Sequence, residues 1–150
     1  SGSGMTAIGL LIGLALFSSN VESREIVVTL IAGKEAEFVS KLRRLYRTFL
    51  AKHHFAEAPL PAYRFLRPPT AKSYGSVNEQ TLECCRSIAR EHGLLMDPVY
   101  SVKHYMAMKE DLALQEKAGN PLFIHNGNPL GICGFMERLS QPKLAARDGV

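Results

Sequence analysis

The chain has 150 residues, of which 46% are hydrophobic and 21% are charged, and its formal net charge is +4. This length accommodates one compact domain with a substantial core and is short for two. The composition is that of a globular protein and excludes a collagenous or low-complexity chain. We therefore predict one domain over residues 1–140 and a loose tail over residues 141–150.

The chain begins with a small-residue loop that leads into an apolar helix, over residues 1–17. Glycine, serine and threonine at a helix start leave backbone N–H groups directed at one spot beside the positive end of the helix dipole, which is typical of a phosphate site. Three alternatives compete with this interpretation. Ser-Gly-Ser-Gly is also the composition of a cloning linker. A signal peptide is disfavoured because no basic residue precedes the apolar run, and the run from Ala7 to Phe17 is shorter than the roughly 20 residues of a membrane span.

A strand and two further segments follow this first helix. Glu25–Ala32 is a nearly continuous β-branched run that predicts a strand buried on both faces, ended by Gly33. Residues 34–53 have helical spacing, with apolar positions at Phe38, Leu42, Leu45, Phe49 and Leu50. The prolines around Ala62–Leu66 allow at most an edge strand there.

The second half of the chain predicts three more helices and one strand. Ser76 and Glu79 have the spacing of a capping box, opening a helix that buries Leu82, Cys85 and Ala89 and ends at Gly93. A proline turn at 97–100 opens the next helix. Its predicted inner stripe is Tyr105, Met108 and Leu112, and its predicted end is Ala118-Gly119.

A strand over Pro121–His125 is predicted to lead into a turn at Asn126-Gly127-Asn128, with a helix over residues 129–139. Alternation of strands and helices predicts an α/β fold with an open, mostly parallel sheet and helices on both faces. Ligands bind beyond the carboxyl ends of the strands in such sheets. We therefore expect the opening loop, the turn at 97–100 and the turn at 125–128 to converge on one site.

Charge and cysteine usage limit the classes of partner. Arg43, Arg44 and Arg47 share one helix face without interleaved aromatic residues, which favours a solvated face over a nucleic-acid site. Cys84, Cys85 and Cys133 have neither metal spacing nor a disulfide pattern, which indicates buried, reduced thiols in a reducing compartment. A basic balance is also common in mitochondrial proteins.

Paired histidines at 53 and 54 are interpreted as solvated side chains, because neighbouring residues on a helix diverge. No metal site is predicted from them.

Together these motifs resemble the C-terminal half of the fold-type-II pyridoxal-phosphate enzymes, in the branch of D-cysteine desulfhydrase and 1-aminocyclopropane-1-carboxylate deaminase. The opening is similar to the family's Ser-Gly-Gly-Thr-x-Ala-Gly-Leu phosphate loop at Ser3, Gly4, Thr6, Gly9 and Leu10. The family's Tyr-Gly-x-Pro-Asn-Glu-x-Thr-Leu-Glu helix entry is matched at Tyr74, Gly75, Asn78, Glu79, Thr81, Leu82 and Glu83.

The most specific match is Gly93 through Tyr100, which ends Asp-Pro-Val-Tyr and is followed by Lys103 where the family also has lysine. His125 and Gly127 lie where the family reads His-Thr-Gly-Gly. The resemblance implies a partial, tryptophan-synthase-β-like fold. It also implies that Ser3, Gly4 and Thr6 correspond to residues that hold the cofactor phosphate, and that Tyr100 corresponds to the tyrosine over the substrate.

The partner of the pyridine nitrogen is left open by the resemblance. Ser101 stands where the deaminases have an acidic residue, and Asn126, followed by Gly127, replaces the threonine that serves this nitrogen in the desulfhydrases.

Several residues depart from the family pattern. Met5 stands where the family's second glycine lets the backbone approach phosphate, and its side chain should crowd the oxygens. Ile8 replaces alanine, and Val102 and Asn128 replace glycines. In the family, the lysine that holds the cofactor lies in the N-terminal half beside an asparagine, and no lysine of this chain has that context. The chain is therefore expected to start within the fold.

Two functional hypotheses follow from this resemblance. In the first, the chain is a non-catalytic remnant that binds no pyridoxal 5′-phosphate and acts as a structural or interaction subunit, with other protein subunits covering the missing half and a large mitochondrial assembly as one setting. In the alternative, it is part of an active deaminase or desulfhydrase that a separate lysine-bearing chain completes. A dinucleotide site at Gly2-x-Gly4-x-x-Ala7 is a third reading, but the preceding strand that it requires is missing.

Overall fold

The computed structural model describes residues 4–115, 119–125 and 129–141. The chain divides into two compact units, Ser1–Tyr74 and Gly75–Val150. The predicted domain over residues 1–140 stays a prediction, and most of the predicted tail, residues 142–150, lies outside the described residues.

The first unit is an α/β layer with the element order α1, Met5–Phe17; β1, Glu25–Thr29; α2, Glu35–His53; and β2, Ala62–Leu66. The two strands are parallel and pair in register from Glu25 with Ala62 to Thr29 with Leu66. The predicted α/β class with a parallel sheet is confirmed. The strand predicted over Glu25–Ala32 ends earlier, at Thr29, because its partner runs into Pro68, which has no N–H to continue the ladder.

The core of the first unit lies among α1, β1 and α2. Its buried residues are Ile8, Leu11, Ile12, Val28, Leu30, Phe38, Leu42 and Tyr46. Each fully buried side chain of this size contributes about 1.5–3 kcal/mol. Tyr46 was missed as a core residue because of its polar tip. Its hydroxyl donates to the Ala58 carbonyl at 2.6 Å and accepts from the Ala58 N–H at 2.9 Å, which fixes the loop before β2.

The second unit is helical over its described residues. It contains α3, Glu79–His92; α4, Ser101–Leu114; a 3-10 helix, Pro129–Phe135; and α5, Met136–Ser140. The predicted helix over residues 129–139 is therefore a 3-10 segment followed by a short α-helix. Arg86 joins α3 to α5, because its guanidinium donates to the carbonyls of Leu139 at 3.1 Å and Arg138 at 2.7 Å.

The capping box predicted at Ser76 and Glu79 is wrong. Asn78 is the N-cap of α3: its side chain accepts from the Thr81 N–H at 3.1 Å, and its own N–H donates to the Thr81 hydroxyl at 3.1 Å. An asparagine adjacent to the first helical residue is as good a cap as serine, and its position decides the competition. The predicted end of the helix is confirmed at Gly93, which has φ 66°.

The predicted inner stripes of α3 and α4 need correction. In α3, Ile88 is buried with Leu82 and Cys85, whereas Ala89 is only half-buried. In α4, the buried positions are Ser101, Val102, Lys103 and Ala107, and the predicted Tyr105, Met108 and Leu112 are half-buried. The prediction for α4 was wrong because two of its buried residues, Ser101 and Lys103, are not hydrophobic and give no signal of burial in the sequence.

Two predicted boundaries after α4 are also wrong. The helix ends at Leu114, and Ala118 of the predicted end lies outside the described residues. Pro121–His125 has no regular structure, and Leu122 is 85% exposed. A short apolar run indicates a strand only when a neighbour completes its ladder, and the described part of the second unit contains no strand.

Candidate cofactor site

The loop that resembles a phosphate site enters α1 through Gly4. Gly4 is the N-cap, with φ 78°, and the N–H of Ile8 donates to its carbonyl at 2.9 Å. A Cβ at Gly4 would lie 3.0 Å and 3.1 Å from two ring carbons of Phe38. Glycine is required here both by the left-handed backbone and by this close approach. Thr6 is exposed in the first turn, and Ser3 lies outside the described residues.

Met5 is the first residue of α1 and is 51% exposed. Cα–Cβ bonds in a helix tilt toward its N-terminus, so a side chain at this position occupies the approach to the N-terminal amides. A glycine would leave this approach open. Gly4 thus gives the start of α1 a left-handed backbone, and Met5 adds a long, exposed side chain where the resemblance calls for glycine, so these residues fit the phosphate of pyridoxal phosphate poorly.

The turn at 97–100 is organised by the carboxylate of Asp97, which is 4% exposed. One oxygen, Oδ1, accepts the N–H groups of Val99 at 3.1 Å and Tyr100 at 2.7 Å. The other, Oδ2, accepts the N–H of Ser101 at 3.1 Å and its hydroxyl at 2.6 Å. Hydrogen bonds among its own residues thus close the turn, and the N–H of Ser101, the first residue of α4, is bonded to the Asp97 side chain.

Tyr100 lies immediately before α4 and is 36% exposed, so its ring is accessible. Ser101 is 7% exposed, and its hydroxyl proton is directed to Asp97. The sequence did not predict that the Asp97 side chain accepts the hydrogen bonds of this turn. The available signal was an aspartate before a proline at a helix entry, which is a turn-forming pattern.

Two ionisable side chains follow on α4. Lys103 is 0% exposed; burial lowers the pKa of its amine, and the nearby Asp97 carboxylate opposes this shift. His104 is half-buried and stacks on Phe123, with ring centroids 4.7 Å apart. Burial lowers the pKa of His104 from 6.5 to about 4, so this side chain is neutral at pH 7. The sequence carried no signal for either environment.

The cysteines are free thiols in three environments. Cys85 is buried, and burial raises the pKa of its thiol to about 12, with a further contribution from Cys84. Burial also raises the pKa of the half-buried Cys84. Cys133 is exposed, which corrects the expectation that all three are buried. Such thiols at Cys84 and Cys85 are poor nucleophiles because the thiolate is the reactive form.

The remaining expected site residues are only partly described. His125 is exposed, and Asn126, Gly127 and Asn128 lie outside the described residues. The expected convergence of three loops stays a prediction, because the first loop belongs to one unit and the other two belong to the second. His53 and His54 are both exposed, as expected.

Within residues 4–115, 119–125 and 129–141, no three His, Cys, Asp or Glu side chains form a group that could hold a metal ion. No helix in the same ranges has the length and apolar character needed to cross a membrane.

No protein-family model matches the chain. Comparison with individual proteins identifies relatives that are named D-cysteine desulfhydrase or 1-aminocyclopropane-1-carboxylate deaminase. A putative D-cysteine desulfhydrase 2, mitochondrial, from Oryza sativa subsp. japonica is 26% identical over 148 residues, which is 93% of this chain and 35% of that protein. A putative 1-aminocyclopropane-1-carboxylate deaminase from Pyrococcus abyssi is 30% identical over 140 residues, which is 92% of this chain and 40% of the relative.

A D-cysteine desulfhydrase from Yersinia pestis is 29% identical over 129 residues, covering 85% of this chain and 38% of the relative. The chain thus spans only 35% to 40% of the length of these three relatives. The crystal structure of an ACC deaminase homologue matches 93% of the chain and 41% of its own length, with a TM-score of 0.73 and 22% identity. This match shows the fold.

Proposed function

Because the chain belongs to the fold-type-II pyridoxal-phosphate family of D-cysteine desulfhydrases and 1-aminocyclopropane-1-carboxylate deaminases, spanning part of its length, we propose that it is a non-catalytic member. In this role it is a structural or interaction subunit of a larger protein assembly. The residues of the cofactor site support the non-catalytic role.

The observation that carries the proposal is Met5 at the first position of α1. Phosphate binding at a helix N-terminus requires the ligand to contact backbone amides directly. An exposed methionine side chain at that position competes for the same space. Asn126 and Asn128, at the turn that resembles His-Thr-Gly-Gly, add two further departures.

Two other departures do not support the proposal. Ile8 is 1% exposed and belongs to the core of the first unit, and Val102 is 0% exposed and belongs to the core of the second. Both side chains fill a core. The loss of cofactor binding therefore depends on Met5 and on the turn at 126–128.

One observation favours the alternative, an active deaminase or desulfhydrase whose remaining part is supplied by another chain. The Asp97 turn is fully hydrogen-bonded and leaves Tyr100 accessible, as a substrate-facing tyrosine requires. The two candidate functions differ in whether pyridoxal 5′-phosphate binds.

Cofactor titration of the natural protein that contains this chain separates them. We expect no visible absorbance band of bound pyridoxal 5′-phosphate and no band that is lost on borohydride treatment. Met5→Gly should restore measurable affinity, because removing the side chain opens the helix N-terminus. Met136→Gly is the matched control, since Met136 is also exposed and also the first residue of a helix. A stoichiometric band in the unmodified protein would refute the proposal.

The interaction role has its own measurement, the mass of the natural protein in its native extract. We expect it to elute with other subunits in a complex larger than its own mass. An isolated, well-behaved monomer would contradict the interaction role, whatever the cofactor titration shows.

A mitochondrial location is part of the same proposal. The name of the rice relative carries this location, and the net charge of +4 is compatible with it. Fractionation of cells that express the natural protein tests it, and recovery of the protein outside mitochondria would overturn it.

A further inference from the structure

The surface of α2 carries a cluster of arginines that the cofactor site does not use. Arg43, Arg44 and Arg47 are exposed, and no ion pair joins any of them to an acidic side chain in the described ranges. Elsewhere in the same ranges, Arg64 pairs with Glu25 and Arg86 pairs with Glu79 and Glu83. We call the three arginines the basic face.

The positive charges of the basic face repel one another because of their spacing along α2. Residues three or four positions apart on a helix are neighbours. Arg43 and Arg47 are separated by four positions, and Arg44 and Arg47 by three, while Lys41 lies three positions before Arg44. Like charges at these spacings destabilise a helix. The three arginines have no acidic residue at a distance of three or four positions to offset this repulsion.

The basic face continues along the surface of α2. Small side chains at Ala36, Ser40 and Thr48 lie on this surface together with the arginines and Val39. From residue 36 to residue 48 the helix extends about 18 Å. This length matches about three turns of a second helix laid along it.

We propose that the basic face binds an acidic, helical segment of a partner protein, with carboxylates one turn apart that pair with Arg43, Arg44 and Arg47. This inference rests on the proposed interaction role and names the chemistry of one partner. Charge complementarity carries it, since a row of carboxylates replaces the repulsion within the face by attraction. Guanidinium groups bind carboxylates through two parallel hydrogen bonds, which gives such a contact a fixed geometry.

Nucleic acid is the competing polyanion, and the aromatic residues of α2 argue against it. Tyr46 is buried, and Phe49 is half-buried and already contacts His53 and Phe55, at centroid distances of 4.5 Å and 6.1 Å. Single-stranded nucleic acid binds to surfaces that offer aromatic rings for base stacking. The basic face offers none of these rings.

The test uses the natural protein and a fluorescent helical peptide with glutamates one turn apart on one face. Fluorescence anisotropy should show binding that weakens as salt is added. Arg47→Glu should weaken it about tenfold, because a pairing cation becomes a repelling anion. Lys72→Glu, an equal charge change at another exposed position of the first unit, should weaken it less than about twofold.

Stability separates loss of the surface from loss of the fold. Arg47→Glu replaces two repulsive spacings, to Arg43 and to Arg44, by two attractive ones, so its Tm should rise by about 1 to 2 °C while peptide binding falls. If this variant fails to fold, Arg43→Gln/Arg47→Gln removes both charges without reversing them and should also weaken binding.

Three results would overturn the inference. The first is no binding of the acidic peptide. The second is equal weakening by Lys72→Glu, which indicates a response to net charge alone, and the third is tighter binding of a single-stranded RNA oligonucleotide than of the acidic peptide. Each of these results leaves the cofactor titration and the native mass unchanged, so failure of this inference is distinguishable from failure of the proposed function.

Discussion

The starts of α1 and α4 both lie at positions where the chain resembles a cofactor enzyme, and they are built in opposite ways. The start of α4 is closed by Asp97, a buried side chain that accepts three backbone N–H groups of its own turn. The start of α1 depends on the left-handed backbone of Gly4, which has no side chain to cap the helix, and the first turn has no acidic residue.

Under the proposed non-catalytic role, this difference separates a feature that the fold needs from one that only a ligand needs. The Asp97 turn contributes to folding whether or not a substrate binds, because the buried Asp97 carboxylate is satisfied by four hydrogen bonds from its own turn, and those from Ser101 are buried. A glycine at position 5 contributes only when a phosphate must approach. Replacement by Met5 is therefore compatible with the fold, whereas replacement of Asp97 should destabilise it.

Asp97→Ala tests the closed turn and should have the largest effect. It removes the acceptor of three N–H groups and one hydroxyl, and we expect a loss of about 3 to 4 kcal/mol in the free energy of unfolding, measured by urea denaturation. Asp111→Ala is the control on the same helix, since the Asp111 carboxylate accepts an exposed bond from Gln115 at 2.8 Å. It should change stability by less than about 0.5 kcal/mol. Equal losses would mean that Asp97 does not organise the turn.

The pH dependence of stability tests the environment just beyond that turn. His104 has a pKa of about 4 in the folded chain and 6.5 in the unfolded chain. Between these values the unfolded state binds a proton that the folded state does not, so stability is complete above about pH 6.5 and falls as the pH drops toward 4. The loss should be about 2 to 3 kcal/mol.

His104→Gln should remove this dependence from urea denaturation curves recorded at a series of pH values. His92→Gln, at an exposed position in the last turn of α3, should retain it. An unchanged slope in His104→Gln would show that another group titrates.

Gly4→Ala tests the open start of α1 and should have a smaller effect. The new Cβ meets the Phe38 ring and a backbone with φ 78°, and we expect a loss of about 1 to 2 kcal/mol. Gly9→Ala, in the same helix, meets no atom within 4 Å and should gain about 0.5 to 1 kcal/mol. Thermal denaturation of the two variants measures the difference. A gain at both positions would contradict the assigned backbone.

Periodicity predicted the elements of the first unit well, because each has a strong signal of its own. The apolar run of α1, the β-branched run of β1 and the stripe through Phe38 and Leu42 all specify structure locally. Even β2, which prolines flank on both sides, was correctly located at Ala62–Leu66. Two features of β1 were wrong. Its length depends on where the partner strand ends, and it is not buried on both faces throughout, because Glu25 is exposed and Ile26 and Val27 are half-buried in a two-stranded sheet.

Prediction was weaker in the second unit, where tertiary contacts decide. Asn78 replaced Ser76 as the cap because several polar residues compete near a helix start. Pro121–His125 has the composition of a strand but no regular structure. In the candidate site, Gly4 and Tyr100 were proposed from the family pattern, and their roles stay predictions. The closure of the turn by Asp97 was not, since sequence gives no hydrogen-bond geometry.

The burial of Lys103 also affects how this chain can be regulated. Enzymes that acetylate or ubiquitinate a protein must reach the lysine amine, and the folded second unit withholds this one completely. Exposed lysines such as Lys72 remain available to them. Modification at Lys103 would therefore mark molecules whose second unit has opened, and the attached group would then prevent that unit from closing.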